Sequence, residues 1–407
     1  MSFFQFFVWG AWLITVSNYW FITRKWGGEE FGAIFSTLGL ASLIMPAITG
    51  IIADRWMNAE KLYGILHILG GLGLACIPMV NHPGTFFWVI FAAMLCYMPT
   101  ISLSNSVAYH ILKTNKFDVV KVFPPIRVWG TVGFIAAMWV TNLSENKASA
   151  NQFHIAAVVA VILGVYSFSL PKCPPLKSTS SNASWAEISG LDAFKLFGNL
   201  KLAMFFIFSM FLGGALQLTN MYGDVFLSEF AEIPKYSDSL VVKYSTIIMS
   251  ISQISETLFI LAIPFFLKRF GIKKVMLISM FAWVLRFGFF AYGDPGAGLW
   301  LIILSCVVYG MAFDFFNISG SLYVETTTDA RIRSSAQGLF MMMTNGFGAV
   351  FGSLASGYVI EKYFTIGGKT DWHHVWLAFA AYAGVIAVAF AILFKHEHDP
   401  EEVEVRH

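Results

Sequence analysis

Two acidic residues lie in apolar surroundings, where an ionised group is costly. Glu256 occurs within ISQISETLFILAIPFF and Asp314 within VVYGMAFDFFNISG. Carboxylates inside a membrane span usually face the protein interior or a water path, and they serve ions or substrates. Loss of water also favours the neutral form of a carboxyl group, by up to about 3–5 pKa units when burial is complete. These residues therefore indicate a site for a proton or a polar solute.

The composition supports treating these stretches as membrane spans. Of the 407 residues, 57% are hydrophobic and 12% are charged, and mean hydropathy is +0.67. A soluble domain has about 25% charged residues. We therefore expect an all-α polytopic membrane protein. The net charge of +2 and the scattered basic residues do not favour nucleic-acid binding.

No motif predicts an enzyme, a metal site or a cofactor. The zinc motif HExxH and the nucleophile motif GxSxG are absent. The cysteines lack the spacing of a metal site, so we interpret them as packing residues; they are Cys76, Cys96, Cys173 and Cys306. The adjacent His373 and His374 are expected at the surface.

Twelve segments are long and apolar enough to cross a bilayer, which takes about 20 helical residues. Their approximate ranges are 4–23, 31–53, 62–80, 86–110, 119–142, 153–170, 201–224, 242–267, 273–293, 298–323, 334–361 and 374–394. The first is too long for a signal-peptide core and no small-residue cleavage motif is evident. We therefore expect it to be retained as a span.

A polar segment divides these spans into two sets of six. Residues 171–199 are rich in Pro, Ser and charge, which predicts a cytoplasmic linker. The expected domains are a six-helix half at 1–170 and another at 200–395. The charged tail, 396–407, is expected to be cytoplasmic and disordered.

The distribution of basic residues predicts the orientation. If the N-terminus is cytoplasmic, 17 of the 26 Lys and Arg residues fall in or beside inside loops and the tail, seven fall outside, and Arg127 and Arg286 lie within spans. Cytoplasmic loops carry an excess of Lys and Arg. Both termini are therefore predicted to be cytoplasmic.

Two basic turns recur at the same point of each half. GIIADRWMNAEK (50–61) follows the second span and PFFLKRFGIKK (264–274) follows the eighth. The first resembles the G-x-x-x-D-R/K signature of the major facilitator superfamily, here Gly50, Asp54 and Arg55. The resemblance implies a close helix approach at Gly50 and a charged conformational latch. It also implies a substrate site near the midplane, between halves that rock around it.

Polar and aromatic residues within the spans are spaced so that each group shares one helix face. The groups are Arg127, Thr131 and Phe134 in the fifth span, Gln217 and Asn220 in the seventh, Gln253 and Glu256 in the eighth, and Tyr309 and Phe313, with Asp314 beside them, in the tenth. Together they are candidates for a substrate pocket.

Each candidate also has a structural alternative. Intramembrane amides commonly form helix–helix hydrogen bonds, and the phenylalanines could be core residues among 41. Arg127 could lie near the helix end and extend to lipid headgroups. Glu256 and Asp314 could instead form ion pairs with Arg127 or Arg286.

Long stretches of the chain resemble bacterial nucleoside permeases of the nucleoside:proton symporter family. These are FFVWGAWLITVSNYWF (6–21), FPPIRVWGTVGF (123–134), LQLTNMYGDVF (216–226), IIMSISQISETLFILAIPFF (247–266), FAYGDP (290–295), VYGMAFDFFNISGS (308–321) and SSAQGLFMMMTNGFG (334–348). The resemblance implies a major facilitator fold and proton-coupled nucleoside uptake across the bacterial inner membrane.

The resemblance also implies a pocket. The family's substrate residues match Arg127, Thr131, Phe134, Gln217, Asn220, Gln253, Glu256, Tyr309 and Phe313. Aromatic rings can stack on a nucleobase, and amides can both donate to and accept from its edge. Glu256, Arg127 or Thr131 could meet ribose hydroxyls. Phosphorylated nucleotides are disfavoured, because only one arginine, Arg127, is near the proposed pocket and two acids flank it, Glu256 and Asp314.

Proton coupling requires a group that changes its charge. We expect Asp314 to be the main proton carrier, and Glu256 to bind substrate and to be able to share the proton. Alternatively, an ion pair with Arg127 could hold one acid ionised and leave the other as the carrier.

Other membrane functions remain as alternatives. A major facilitator carrier for another small polar solute, such as a sugar, would share the fold and the buried acid. A channel would not give saturable, gradient-driven uptake, and a receptor would bind nucleoside without moving it. The expected partners are nucleosides, protons and membrane lipid, and the expected state is a monomer.

Overall fold

Apolar helices make up most of the chain in the computed structural model, which describes residues 1–117, 119–175, 191–328 and 333–396. The α-helices of these residues are α1 (Ser2–Gly10), α2 (Gly28–Arg55), α3 (Ala59–Cys76), α4 (Pro83–Thr114), α5 (Val119–Leu143), α6 (Asn151–Ser167), α7 (Leu200–Glu229), α8 (Leu240–Lys243), α9 (Ser245–Tyr292), α10 (Leu299–Thr327), α11 (Arg333–Met341), α12 (Ala349–Val359) and α13 (Trp372–Leu393).

These helices supply the predicted spans, but not as one helix for each span. Nine helical segments of the described residues are long and apolar enough to cross a membrane. α9 contains both the eighth and the ninth predicted span. A break at Gly271 separates them, with φ 76°, a conformation that glycine adopts readily. α6 has only 17 residues, and the first span is divided between α1 and a π-helix at Asn18–Thr23. The all-α membrane fold is confirmed.

Irregular helical turns occur at several points. Besides Asn18–Thr23, π-helices cover Met342–Gly348, between α11 and α12, and Ile360–Phe364, after α12. Short 3₁₀ helices cover Ile77–Met79, Leu191–Gly198 and Phe230–Glu232. The eleventh predicted span is thus a composite of α-helical and π-helical turns.

A small β-hairpin lies between the last two predicted spans. Strand β1 (Thr365–Ile366) pairs antiparallel with β2 (Lys369–Thr370). The two turn residues, Gly367 and Gly368, have φ of 60° and 80°. Positive φ at both central positions is the pattern of a type I′ hairpin turn, which favours glycine.

The chain divides into two units, Met1–Ser189 and Gly190–His407. The boundary falls within 171–199, the segment predicted as the linker.

In the first unit, α1 packs closely against α5. A Cβ atom built on Gly10 would lie 2.5 Å from the carbonyl oxygen of Phe134, and one built on Gly133 would overlap the carbonyl oxygen of Phe3. Glycine at these positions lets the two backbones approach each other, as small residues do at membrane helix interfaces. This packing fixes the part of α5 that carries Phe134.

A buried hydrogen-bond network centred on Gln5 joins α1, α3 and α4. The Gln5 Oε1 atom accepts from the Tyr63 hydroxyl and contacts His67 Nε2, both at 2.7 Å, while Gln5 Nε2 donates to Thr100 at 2.9 Å. The Tyr97 hydroxyl donates to the Gln5 carbonyl oxygen at 2.6 Å. An amide oxygen only accepts, so His67 donates its Nε2 proton to Gln5.

In the second unit, α10 packs along both parts of α9. The Ser255 hydroxyl donates to the Val307 carbonyl oxygen, and the Ser279 hydroxyl donates to that of Ala312 at 2.5 Å. A Cβ atom on Gly310 would lie 2.7 Å from the Ser255 carbonyl group. This packing sets the helix of Glu256 against the helix of Asp314.

Candidate functional site

The three candidates in the first unit lie on α5 and are half-buried: Arg127, Thr131 and Phe134. The Arg127 guanidinium lies 4.0 Å from the ring centroid of Phe6 on α1. The Phe134 ring meets Trp9 edge-on, with the ring centroids 6.4 Å apart. The predicted face of α5 is therefore lined by aromatic residues of α1. Arg127 contacts α1 and does not extend only towards the lipid headgroups.

The three candidate amides lie in the second unit, on α7 and α9. The side chains of Gln217, Asn220 and Gln253 form no hydrogen bond with another described residue, and Gln253 Oε1 is buried without a partner there. Gln152 in the first unit behaves differently, since it accepts from Thr15 and donates to the Ser149 carbonyl oxygen. The helix–helix hydrogen bonds considered as an alternative are therefore not formed among the described residues.

The aromatic candidates on α10 form an ordered stack. The rings of Tyr309 and Phe313 are 5.9 Å apart at an interplanar angle of 9°. Trp283 contacts Tyr309 edge-on, at 5.9 Å and 90°. Tyr309 is buried, whereas Phe313 is half-buried, so Phe313 is the more accessible ring.

The two acids occupy facing helices. Asp314 is 5% exposed, and its side chain forms neither a hydrogen bond nor an ion pair with a described residue. Glu256 is half-buried on α9, which packs against the helix of Asp314, α10. The hydrogen bonds of Arg286 go to Thr219, Ser252 and Ser305. The alternative ion pair between Asp314 and Arg286 is therefore not formed.

Two buried charged groups were missed as site candidates. Asp224 on α7 is fully buried and accepts from the Thr246 hydroxyl at 3.0 Å. Its signal was present in the sequence, because it follows Asn220 by four residues and Gln217 by seven, on the same helix face. Arg286 is also fully buried, although the sequence analysis considered it only as a basic residue within a span and as a possible ion-pair partner of the acids.

The predicted latch residues lie at the end of α2. Gly50 and Arg55 belong to this helix, while the side chain of Asp54 lies outside the described part. A Cβ atom on Gly50 would have no described atom within 4 Å, so the predicted close helix approach is not formed there. The conformational latch stays a prediction.

The histidine pair lies at the surface. His373 and His374 are exposed, and His374 contacts the carboxylate of Asp371 at 2.7 Å. Within the described ranges, no cluster of His, Cys, Asp and Glu could hold a metal ion.

The sequence as a whole matches one family model. Residues 1–399 match the model described as nucleoside H⁺ symporter. The chain belongs to the nucleoside H⁺ symporter family. It is a nucleoside:proton symporter and not an enzyme. The predicted function, proton-coupled nucleoside uptake, is confirmed.

Curated relatives of this symporter are bacterial permeases. The nucleoside permease NupG of Escherichia coli is 51% identical over 399 residues, covering 98% of this chain and 95% of NupG. The xanthosine permease of Escherichia coli is 50% identical over 407 residues, covering 100% of this chain and 97% of that protein. The symporter is accordingly a multi-pass protein of the bacterial inner membrane.

Solved structures agree on the fold of the symporter. The crystal structure of NupG superposes with a TM-score of 0.91 at 51% identity, covering 97% of this chain and 98% of NupG. A D-xylose-proton symporter gives a TM-score of 0.72 at 14% identity, covering 98% and 97% of the two chains, and this likeness shows the fold alone. The fold is that of the major facilitator transporters.

Proposed function

We propose that nine residues bind the nucleoside during symport and that Asp314 carries the coupled proton. The substrate residues are Arg127, Thr131, Phe134, Gln217, Asn220, Gln253, Glu256, Tyr309 and Phe313. The first three belong to one unit and the other six to the second.

The observation that carries the proposal is a set of amides without hydrogen-bond partners among the described residues, together with an aromatic stack, all in the second unit. Gln217, Asn220 and Gln253 have side chains without hydrogen bonds to other described residues, and Phe313 extends the Tyr309 ring stack. A nucleobase offers a flat face for the ring and an edge of donors and acceptors for the amides. Of their polar atoms, Gln253 Oε1 is buried without a partner among the described residues, and binding would satisfy a group that otherwise costs about 1–3 kcal/mol.

The other proposed substrate residues suit the ribose and a neutral substrate. Glu256, Arg127 and Thr131 offer acceptors and donors suited to sugar hydroxyls. Only Arg127 among the substrate residues is cationic, and Glu256 and Asp314 add negative charge when ionised. A neutral nucleoside is therefore bound in preference to a nucleotide.

Asp314 couples transport to the proton through the cost of an unpaired buried charge. Its carboxyl group is buried and has no hydrogen-bond partner among the described residues. An isolated ionised carboxylate in such a place is strongly unfavourable. Protonation from the outside removes this charge, and the carrier loaded with proton and nucleoside reorients. Glu256 binds the substrate and shares the proton through its proximity to Asp314.

The remaining assignments rest on the charge pattern and on the resemblance to the major facilitator superfamily. Both termini are cytoplasmic, because the basic residues concentrate on that side. Gly50, Asp54 and Arg55 act as the conformational latch on the cytoplasmic face. The symporter works as a monomer in contact with membrane lipid.

Uptake by proteoliposomes tests the proposed function. An inward proton gradient is imposed, and accumulation of labelled uridine and adenosine is measured with and without a protonophore. We expect saturable accumulation that the protonophore abolishes and that unlabelled nucleosides, but not xylose or maltose, inhibit. Accumulation of a sugar would favour a sugar carrier, non-saturable flux would favour a channel, and binding without uptake would favour a receptor.

A further inference from the structure

Arg286 is a buried cation that the proposed transport cycle does not use. It lies on α9 after the break at Gly271 and is fully buried. Its guanidinium forms no ion pair with an acid of the described residues. Because an intramembrane charge is costly and tends to mark a functional position, its neighbours are informative.

Its hydrogen bonds go to three different helical segments. Nε donates to the Thr219 hydroxyl on α7 at 3.2 Å, and Nη1 donates to the Ser252 hydroxyl on the first part of α9 at 3.3 Å. Nη1 also donates to the Ser305 carbonyl oxygen on α10 at 2.7 Å, and the Ser305 hydroxyl donates back to the Arg286 carbonyl oxygen at 2.8 Å.

The flat face of the guanidinium also contacts two aromatic rings. It lies 4.6 Å from the ring centroid of Tyr309 and 5.1 Å from that of Phe290. A cation over an aromatic ring is attracted to it, and more strongly when water is excluded. Arg286 and the edge of Trp283 thus hold the orientation of the Tyr309 ring.

Three of these partners directly precede a proposed substrate residue or are one. Thr219 directly precedes Asn220, Ser252 directly precedes Gln253, and Tyr309 is itself a proposed substrate residue. One guanidinium therefore connects the three helices that carry the six substrate residues of this unit. Its planar set of donors suits this task in a way that the single ammonium group of lysine does not.

We infer that Arg286 is a positioning residue that sets the relative placement of the substrate faces of α7, α9 and α10. This inference rests on the proposed function, because its effect is exerted through Asn220, Gln253 and Tyr309. Loss of Arg286 would misplace binding groups by fractions of an ångström while leaving Asp314 intact.

The test compares Arg286→Lys with the matched control Arg269→Lys, which changes an exposed arginine. Proton-driven uridine uptake gives KM and maximal rate, and thermal unfolding gives Tm. We expect Arg286→Lys to raise KM about tenfold, since small misplacements of binding groups cost up to about a hundredfold. Uptake should keep the dependence of the wild type on the imposed pH difference. The control should match the wild type.

A double-mutant cycle separates positioning from general stability. Thr219→Val and Ser252→Ala should each raise KM by a smaller factor in the wild-type background, and should add little in the Arg286→Lys background. These two variants also keep the test valid if Arg286→Lys does not fold. A lower Tm with unchanged KM, or fully additive KM effects, would overturn the inference while wild-type uptake stands. Absence of uptake by the wild type would overturn the proposed function as well.

Discussion

Tyr309 and Phe313 lie one helical turn apart on α10, and their rings are nearly parallel, at 5.9 Å and 9°. The two rings are held differently. Tyr309 contacts the guanidinium of Arg286 at 4.6 Å and meets Trp283 edge-on, whereas Phe313 is half-buried. Phe313 is therefore the ring of this pair that is better placed to stack on a ligand, while Tyr309 supports it.

We predict that Phe313→Ala weakens nucleoside binding about tenfold, which is about 1.4 kcal/mol. Aromatic pairs contribute about 0.5–1.5 kcal/mol beyond the burial of their area, and the substitution removes this contact with the base. Equilibrium binding of labelled uridine and adenosine measures the change. Phe281→Ala, which removes an exposed ring of α9, should bind normally. Equal Kd values for Phe313→Ala and the wild type would contradict a stacking role.

We predict that Asn220→Ala and Gln253→Ala each weaken nucleoside binding without lowering Tm. Their side chains form no hydrogen bond within the described residues, so their removal costs the folded protein little. In the complex, each loss leaves a buried group of the base unpaired, which costs about 1–3 kcal/mol. Isothermal titration and thermal unfolding together report both quantities.

Gln152→Ala is the matched control for the amides. Gln152 is fully buried but hydrogen-bonded to Thr15 and to the Ser149 carbonyl oxygen. Its removal should lower Tm and leave nucleoside affinity unchanged, the reverse of the result for Gln253. If all three alanine variants had a lower Tm and an unchanged nucleoside affinity, the amides would be structural and the pocket proposal would be wrong.

Much of the fold was predictable because its main signals, the length of apolar segments and the position of a long polar segment, can be read along the sequence. Apolar length located the spans, and the polar segment 171–199 contains the boundary between the two units. Apolar length does not report the path of the backbone within a span. The π-helix at Asn18–Thr23 and the composite eleventh span were therefore not predicted, and the open space around Gly50 contradicted its expected close approach.

The candidate site was predictable where groups share one helix, and less so where they meet across helices. Helical spacing grouped Gln217 with Asn220, and the same spacing would have added Asp224. Arg286 is different, because its partners Thr219 and Ser305 lie 67 and 19 residues away in the chain. Contacts over such separations depend on tertiary packing, which helix periodicity does not encode.

We predict that Asp314→Asn abolishes accumulation of nucleoside against its gradient but retains exchange of nucleoside across the membrane. The amide keeps the shape of the carboxyl group and cannot change its charge, so transport loses its coupling to the proton. Proteoliposomes loaded with unlabelled uridine measure exchange, and an imposed pH difference measures accumulation. Asp238→Asn, in an exposed loop, should behave as the wild type.

The comparison with Glu256→Gln separates the two acids. Glu256 shares a helix face with Gln253, so its amide variant should weaken nucleoside binding in addition to any effect on coupling. Accumulation by Asp314→Asn under a pH difference would assign the proton to another group. Loss of both exchange and accumulation would instead indicate that Asp314 is needed for substrate binding.

We predict that Gly133→Ala destabilises the first unit, whereas Gly384→Ala does not. A Cβ atom on Gly133 would overlap the Phe3 carbonyl oxygen, so α1 and α5 would have to separate, while the nearest side-chain atom to a Cβ on Gly384 lies at 3.9 Å. Both changes gain the helix preference of alanine, about 0.5–1 kcal/mol, but overpacking costs about 1–3 kcal/mol. Thermal unfolding in detergent should show a lower Tm for Gly133→Ala and an equal or higher Tm for Gly384→Ala. Because the same packing fixes the part of α5 that carries Phe134, Gly133→Ala should also raise the KM for nucleoside. A normal Tm and KM for Gly133→Ala would mean that α1 and α5 do not pack this closely in the functional protein.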